Sequence, residues 1–378
     1  MVAAARVQSP AGVGHLDPTV GDIFGLWDAQ WYAEIARSGY PLPLPVDGDT
    51  GFITYSAWAF FPLYPYAVRL LMLTGLPFPL AGALLNLALS WLGLLLIWAI
   101  FRQASHAAPQ GFRDRLALVG ACLWCFYPAT GILLVPYSEA LALVLIAGAL
   151  LLVMRRRYGL AALAVVALGF TRAIAPAMGI VILVHLVARW REERAAGPLF
   201  AGERVRLAAL VGAVLASAAA WPVTVGLSTG RATAFFDVQA TWGQQPDRGP
   251  FVLWLAWAWE ERGLFGVALI VGIVAAYLSL VLGRHGRWLP LEVRAWALAY
   301  PLYLLAVVRP ITSMWRFLLL DFPLAAIVAS VAMRTSAGGS IVPHWRRRVT
   351  LILLPLIAGM LWWTVTFLTY VPWDSSPP

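Results

Sequence analysis

Eight apolar runs close to membrane-spanning length divide this chain: 79 to 101, 115 to 135, 136 to 154, 206 to 228, 263 to 283, 291 to 309, 314 to 334 and 347 to 370. About 20 apolar residues in a helix cover the hydrocarbon of a bilayer while satisfying every backbone hydrogen bond internally. Runs of this kind restrict the chain to an all-α, polytopic transmembrane helix bundle. With 61% hydrophobic residues and a mean hydropathy of +0.78, the chain also has too little charge to cover the surface of a soluble protein.

Three segments break the pattern. The stretch 158 to 190 is longer than one span and short for two. Gly169 and Pro176 interrupt it, with Arg172 between them. Two short helices meeting inside the membrane are expected there, their broken backbone facing protein or a water-filled cavity. Residues 57 to 76 place Pro62, Pro65 and Arg69 among aromatics, which suits an amphipathic helix on the membrane surface. Residues 27 to 40 read as a short amphipathic helix closed by Gly39 and the Tyr40-Pro41 step. The expected organisation is an N-terminal segment over 1 to 78, carrying these short helices, and a membrane bundle over 79 to 378. The bundle would hold about eight full spans and the broken pair, and the whole forms a single membrane domain.

Charge placement orients the bundle. All 27 cations are arginine, which suits a GC-rich bacterial genome. The turns 102 to 115, 155 to 157, 189 to 206, 284 to 294 and 334 to 348 hold 18 arginines against five acids. By the positive-inside rule these turns are cytoplasmic. Residues 1 to 78, the turn at 135, the loop 229 to 262, the turn at 310 and the C-terminus then face outward. The pI of 10.0 reports topology and contact with anionic lipid, not nucleic acid. A bacterial plasma membrane with the chemistry on its extracytoplasmic face is the expected location. An outward N-terminus normally follows a signal peptide or a first span, and residues 1 to 26 contain neither, so a helix upstream of Met1 is expected.

Cys122 and Cys125 have metal-ligand spacing, but they lie inside an apolar span without a second ligand pair and read as small buried hydrophobes. The five histidines are scattered over both faces and form no ligand set.

On the 27 to 40 helix, Asp28, Trp31, Tyr32 and Ile35 share one face, while Glu34 points about 120° away. Asp28 is therefore the carboxylate held among aromatics, either as a functional group or as a helix-start cap. The aromatic segment 59 to 66, containing Phe61 and Tyr64, fits a membrane belt or the wall of a groove for a lipid-linked sugar. After it, in the segment Val135 to Leu141, Pro136 suits a first helical turn and places Ser138 and Glu139 at a positive helix end. Glu139 either complements that dipole or orients an arginine or an acceptor hydroxyl.

Arg172 sits at the membrane break, and Arg309 and Arg316 flank the short turn that contains Trp315. Arginine at membrane depth costs about 2.5–3.5 kcal/mol on insertion scales, so three of them call for an anionic partner. Asp321 is expected to make a polar helix contact or to pair with Arg172.

Several of these segments together resemble the PIG-V mannosyltransferases of the GT-C class. The residues that carry the resemblance are Trp27-Asp28 with Tyr32, Ile35-Ala36 and Gly39-Tyr40; Phe60-Phe61-Pro62-Leu63-Tyr64-Pro65; Tyr137-Ser138-Glu139-Ala140-Leu141; Arg172; and Arg316 with Phe322-Pro323. The resemblance implies a polyprenyl-phosphate-mannose donor, an outer-face active site and a catalytic base in the first outer loop, here Asp28. The helix that precedes this loop in the family has no counterpart in this sequence, and the acceptor does not carry over.

The expected function is inverting transfer of a hexose, mannose first, from polyprenyl phosphate to an extracytoplasmic lipid, glycan or protein. Asp28 would act as general base. Arg172, Arg316 and Arg309 would bind the donor phosphate, and Tyr32, Tyr137, Glu139, Phe61, Tyr64 and Trp315 would position the substrates. A monophosphate leaving group beside arginines can depart without a metal, so no cofactor is expected; Asp28 with Glu139 holding Mg2+ or Mn2+ is the alternative. A transporter or lipid-linked sugar flippase also uses broken helices with mid-membrane charge, and a silent scaffold for envelope enzymes is a third reading.

Overall fold

The computed structural model describes residues 1–9, 17–105, 109–197, 201–244, 248–334, 341–370 and 378. Among them the protein is helical, with two isolated antiparallel bridges, Val46 to Ile53 and Arg334 to Ile341, and no strand. The N-terminal segment contains α1 (Val2–Arg6), α2 (Val20–Ile23), α3 (Asp28–Ser38), a 3-10 turn over Ala57–Ala59, and α4 (Leu63–Met72). The bundle follows with α5 (Phe78–Ala104), α6 (Gln110–Cys125), a 3-10 helix over Pro128–Leu134, α7 (Glu139–Met154), α8 (Tyr158–Gly169) and α9 (Ala175–Ala196). It continues with α10 (Ala201–Thr229), α11 (Ala234–Thr241), α12 (Val252–Leu282), α13 (Leu291–Val307), α14 (Met314–Leu318), α15 (Pro323–Met333) and α16 (Trp345–Phe367).

Four of these helices, α5, α10, α12 and α16, are long and apolar enough to cross a membrane. A fifth candidate is the pair of α6 and the 3-10 helix, bent by 78°. The remaining apolar runs are shorter or interrupted, and proline accounts for much of this. The run 115 to 135 turns just before Pro128, which cannot continue the hydrogen-bond ladder of α6. Pro136 ends up outside α7, whose first residue is Glu139 and whose length is 16 residues. Pro323 begins α15 after a break that separates it from the five-residue α14. The predicted break around Arg172 lies between α8 and α9, but α9 has 22 residues and is no short half-helix.

Small residues set the closest crossings. On α8, a β-carbon at Gly169 would lie 2.3 Å from Ser217 Oγ and 2.6 Å from the Ser217 carbonyl oxygen of α10. Ser217 Oγ also donates to the Val165 carbonyl at 2.8 Å, locking the two helices in register. Gly169→Ala is expected to force them apart and destabilise the protein by about 1–3 kcal/mol, read as a lower thermal midpoint in detergent. On α5, Gly93 admits Leu143 of α7, and Gly82 admits Pro136. These contacts press the turn before α7 against α5.

A polar network ties α8, α9, α10 and α13 together on the arginine-rich side. His185 Nδ1 lies 2.7 Å from Glu292 Oε1, and its Nε2 is 3.0 Å from the Tyr158 hydroxyl. Arg189 donates to Glu203 at 2.7 Å. Arg172 precedes α9, whereas Arg189 lies about 21 Å along it from its first residue. At the bundle's other end, α1 is bound to the end of α16 by Gln8, whose Nε2 donates to the Leu368 carbonyl at 2.5 Å while its Oε1 accepts from Tyr370 N at 2.7 Å.

Candidate active site

Asp28 is the first residue of α3, and its carboxylate does not cap that helix. The chain enters through Trp27, held at φ 49°, a conformation that costs a non-glycine residue about 1–3 kcal/mol, and leaves through Gly39 at φ 79°. Ala29, Tyr32, Ile35 and Ala36 are buried, and Glu34 is exposed. This is the face assignment that helical spacing predicted. The Asp28 side chain, 14% exposed, accepts from Arg316 Nη1 at 2.5 Å.

Arg316 comes from α14, and the same Nη1 lies 3.3 Å from Glu139 Oε1 at the start of α7. Glu139 Oε1 in turn lies 2.8 Å from Arg172 Nη1, supplied by the break between α8 and α9. Arg172 also donates to Ser138 Oγ at 3.2 Å, and the Tyr32 hydroxyl of α3 donates to that oxygen at 2.9 Å. Burial pushes the Tyr32 phenol well above its ordinary pKa, which keeps it a donor. Four stretches of chain, around residues 28, 138, 172 and 316, thus meet in one alternating set of two carboxylates and two guanidinium groups.

The depths of these groups differ. Glu139 is 1% exposed and Arg316 7%, whereas Asp28 and Arg172 are 14% and 17% exposed. Glu139 is the interior anchor for both arginines, and Asp28 and Arg172 form the rim that a substrate can reach. The ring of Phe317 lies 5.1 Å from both guanidinium carbons, and Tyr137 stacks under Arg316 at 5.0 Å. Glu139 Oε2, Arg316 Nε, Tyr64 Oη and Tyr137 Oη are buried without a hydrogen-bond partner among the described residues. Unspent polar atoms at this density ask for a ligand or water.

The sequence-predicted residues divide into two groups. Asp28, Tyr32, Tyr137, Glu139, Arg172 and Arg316 come together, and Tyr64 joins them edge-on to Tyr32 at 5.2 Å. Phe61 packs instead with Trp221 and Phe235 in a separate aromatic cluster. Trp315 is 41% exposed and meets Trp362 of α16. Arg309 is exposed and lies against Gly243, and it makes no ion pair with Asp28 or Glu139 among the described residues. Asp321, in the break between α14 and α15, accepts from Tyr277 of α12 at 2.7 Å, a polar contact between elements rather than a pair with Arg172.

Sequence reasoning missed Phe317 and Asn86. Asn86 is buried on α5 and donates to the carbonyls of Val135 and Tyr137, thereby holding the turn that presents Ser138 and Glu139. An amide inside an otherwise apolar run was the signal that could have found it. Asn86→Leu is expected to lower transfer more than it lowers the amount of folded protein, because it takes the side-chain donor from the Tyr137 carbonyl and leaves the Val135 carbonyl only its bond from Tyr137 N; specific activity per folded molecule checks this.

Arg316 Nη1 occupies the position between Asp28 and Glu139, where a divalent cation shared by the two would sit. Among the described residues no group of three or more His, Cys, Asp or Glu side chains is arranged to hold a metal.

An apolar cleft of about 390 Å³ opens between α5, the 3-10 helix before α7, and α16, with Leu87, Trp91, Leu134, Leu361 and Val365 among its walls. Leu134 is four residues before Ser138 in the chain, and none of Asp28, Ser138, Glu139, Arg172 and Arg316 lines the cleft.

Compared with known proteins, the chain matches no family model, and no curated protein matches it.

Proposed function

We propose that this chain is a polytopic membrane glycosyltransferase, moving a hexose, mannose first, from a polyprenyl-phosphate donor to an acceptor on the outer face of a bacterial plasma membrane. The observation that carries the reading is the meeting of Asp28, Glu139, Arg172 and Arg316 from four distant stretches of the chain. Its motif order, similar to that of the PIG-V mannosyltransferases, supports the same conclusion, and the all-helical bundle with four membrane-length helices and one bent pair is compatible with it; we read that bundle as GT-C-type with about eight crossings. The shorter helices α7, α13 and α15 would complete those crossings, with α8 and α9 as the broken pair.

In this mechanism the donor phosphate takes hydrogen bonds from Arg172 and Arg316. Arg316 then exchanges its contact with Asp28 for one with phosphate, and the Asp28 carboxylate is released to face the acceptor. The acceptor hydroxyl oxygen attacks the sugar C1 as the bond from C1 to the phosphate oxygen breaks on the opposite face. The hydroxyl proton passes to Asp28, and polyprenyl phosphate leaves with the bonding pair. Its growing negative charge is stabilised by guanidinium groups already fixed by Glu139, so little reorganisation is needed during the reaction. The apolar cleft beside α5 suits the polyprenyl tail.

A transporter or flippase is the competing reading, since it too would place charge at broken helices. Vesicles containing the purified protein and labelled polyprenyl phosphate-mannose separate the two. Transfer yields a new labelled product and free polyprenyl phosphate, whereas flipping moves the label across the bilayer with its bonds intact.

A further inference from the structure

Next to Asp28 the protein carries a second feature that the charged set does not use. Trp31 stacks on Phe60 with ring centroids 5.9 Å apart, and both meet Trp242 edge-on at 5.9 and 5.6 Å. Tyr55, 57% exposed, extends this layer from the far side of Trp242 at 4.7 Å. Phe60 also packs edge-on against Tyr32, whose hydroxyl belongs to the charged set. An aromatic layer therefore runs without a gap from the Asp28 cluster to the surface.

A buried layer supports it. Tyr40, Trp58 and Trp221 stack beneath, with the Tyr40 hydroxyl donating to the Phe60 carbonyl at 2.9 Å and Trp58 Nε1 donating to the Pro41 carbonyl at 2.9 Å. Gln239 of α11 donates to the Ala59 carbonyl at 3.0 Å, which fixes the helix that carries Trp242.

The upper layer keeps polar capacity in reserve. The Trp242 indole N–H is buried and has no partner among the described residues. At the next residue, Gly243 at φ 77°, the exposed Arg309 guanidinium carbon lies 2.8 Å from where a β-carbon would stand, which sets this arginine against the backbone that follows Trp242.

Aromatic faces are electron-rich and attract the partly positive C–H bonds of a sugar ring, while the ring's hydroxyls need donors at the rim. A lipid tail would have no use for the indole N–H or the guanidinium. We propose that the layer of Trp31, Phe60, Trp242 and Tyr55, rimmed by Arg309, binds the terminal pyranose of a carbohydrate acceptor and presents its hydroxyl to Asp28. This rests on the glycosyl-transfer reading and adds the acceptor class. Trp31 and Asp28 occupy the same face of α3, one turn apart, which puts a stacked ring beside the base.

The test uses the full chain in lipid nanodiscs and mannotriose as the probe, with binding followed by saturation-transfer NMR. Relative to wild type, Trp242→Ala is expected to bind about tenfold more weakly, and Trp242→Phe, which keeps a ring face but loses the N–H donor, to bind between the two. In transfer assays with mannotriose, Trp242→Ala is expected to raise the acceptor KM with kcat little changed. Equal binding by wild type and a normally folded Trp242→Ala overturns the proposal. So does quenching of this layer by brominated lipid with unaltered sugar binding, which would make it a membrane belt. Transfer by wild type with an unchanged Trp242→Ala KM defeats this site alone, whereas mannotriose binding without any transfer defeats the transferase reading alone.

Discussion

Arg316→Met is expected to abolish sugar transfer and to destabilise the protein at the same time. Arg316 bridges Asp28 and Glu139 while only 7% exposed, so its loss leaves Asp28 without a counter-charge and Glu139 with Arg172 alone, two carboxylates sharing one guanidinium. Removing one partner of a buried ion pair costs about 3–5 kcal/mol, because the remaining charge is neither solvated nor paired. Thermal unfolding in detergent measures that loss. Adding Glu139→Gln to Arg316→Met is expected to recover part of the stability and none of the activity. Equal stability of wild type and Arg316→Met would show that the guanidinium holds nothing together.

Asp28→Asn separates chemistry from structure. Asparagine has the same shape, and its amide oxygen still accepts from Arg316, so the fold and α3 are expected to persist. As a base, however, the amide is useless. General-base help contributes about 10²- to 10⁴-fold, and kcat is expected to fall by that factor with donor affinity nearly unchanged. A variant that folds normally and transfers sugar near the wild-type rate would remove Asp28 from the mechanism.

Local rules were readable in the sequence where neighbouring residues decide the outcome. The limits of α3, the burial of Tyr32 and Ile35 and the exposure of Glu34 all follow from helical spacing and Gly39. Arg172 at a break between helices followed from Gly169, Pro176 and the cost of a charge at depth. The partners were not readable, because residues 28, 139, 172 and 316 come together only when their separate helices pack.

The arginines show why. Arg309 and Arg316 flank the same short turn, and composition could not rank them. In the structure Arg316 reaches inward from α14, and Arg309 lies on the surface against Gly243. Trp315 is adjacent to Arg316, yet successive positions on a helix differ by about 100°, so the two point to different surroundings. Phe61 went to a core of aromatic residues from α10 and α11, far away in sequence. Span counting from hydropathy had a related weakness: an apolar run records what a segment tolerates, while Pro128, Pro136 and Pro323 determine how much of it is continuous helix.

The most direct test of the charged set as a glycosyl-transfer centre is a product assay on purified protein in vesicles. Labelled polyprenyl phosphate-mannose and mannotriose are supplied, and both lipid and sugar products are resolved. Wild type is predicted to release polyprenyl phosphate and extend mannotriose by one inverted linkage, with Asp28→Asn slowed by about 10²- to 10⁴-fold and Arg316→Met inactive. Intact donor recovered from the opposite leaflet, with no new glycosidic bond, would contradict the account.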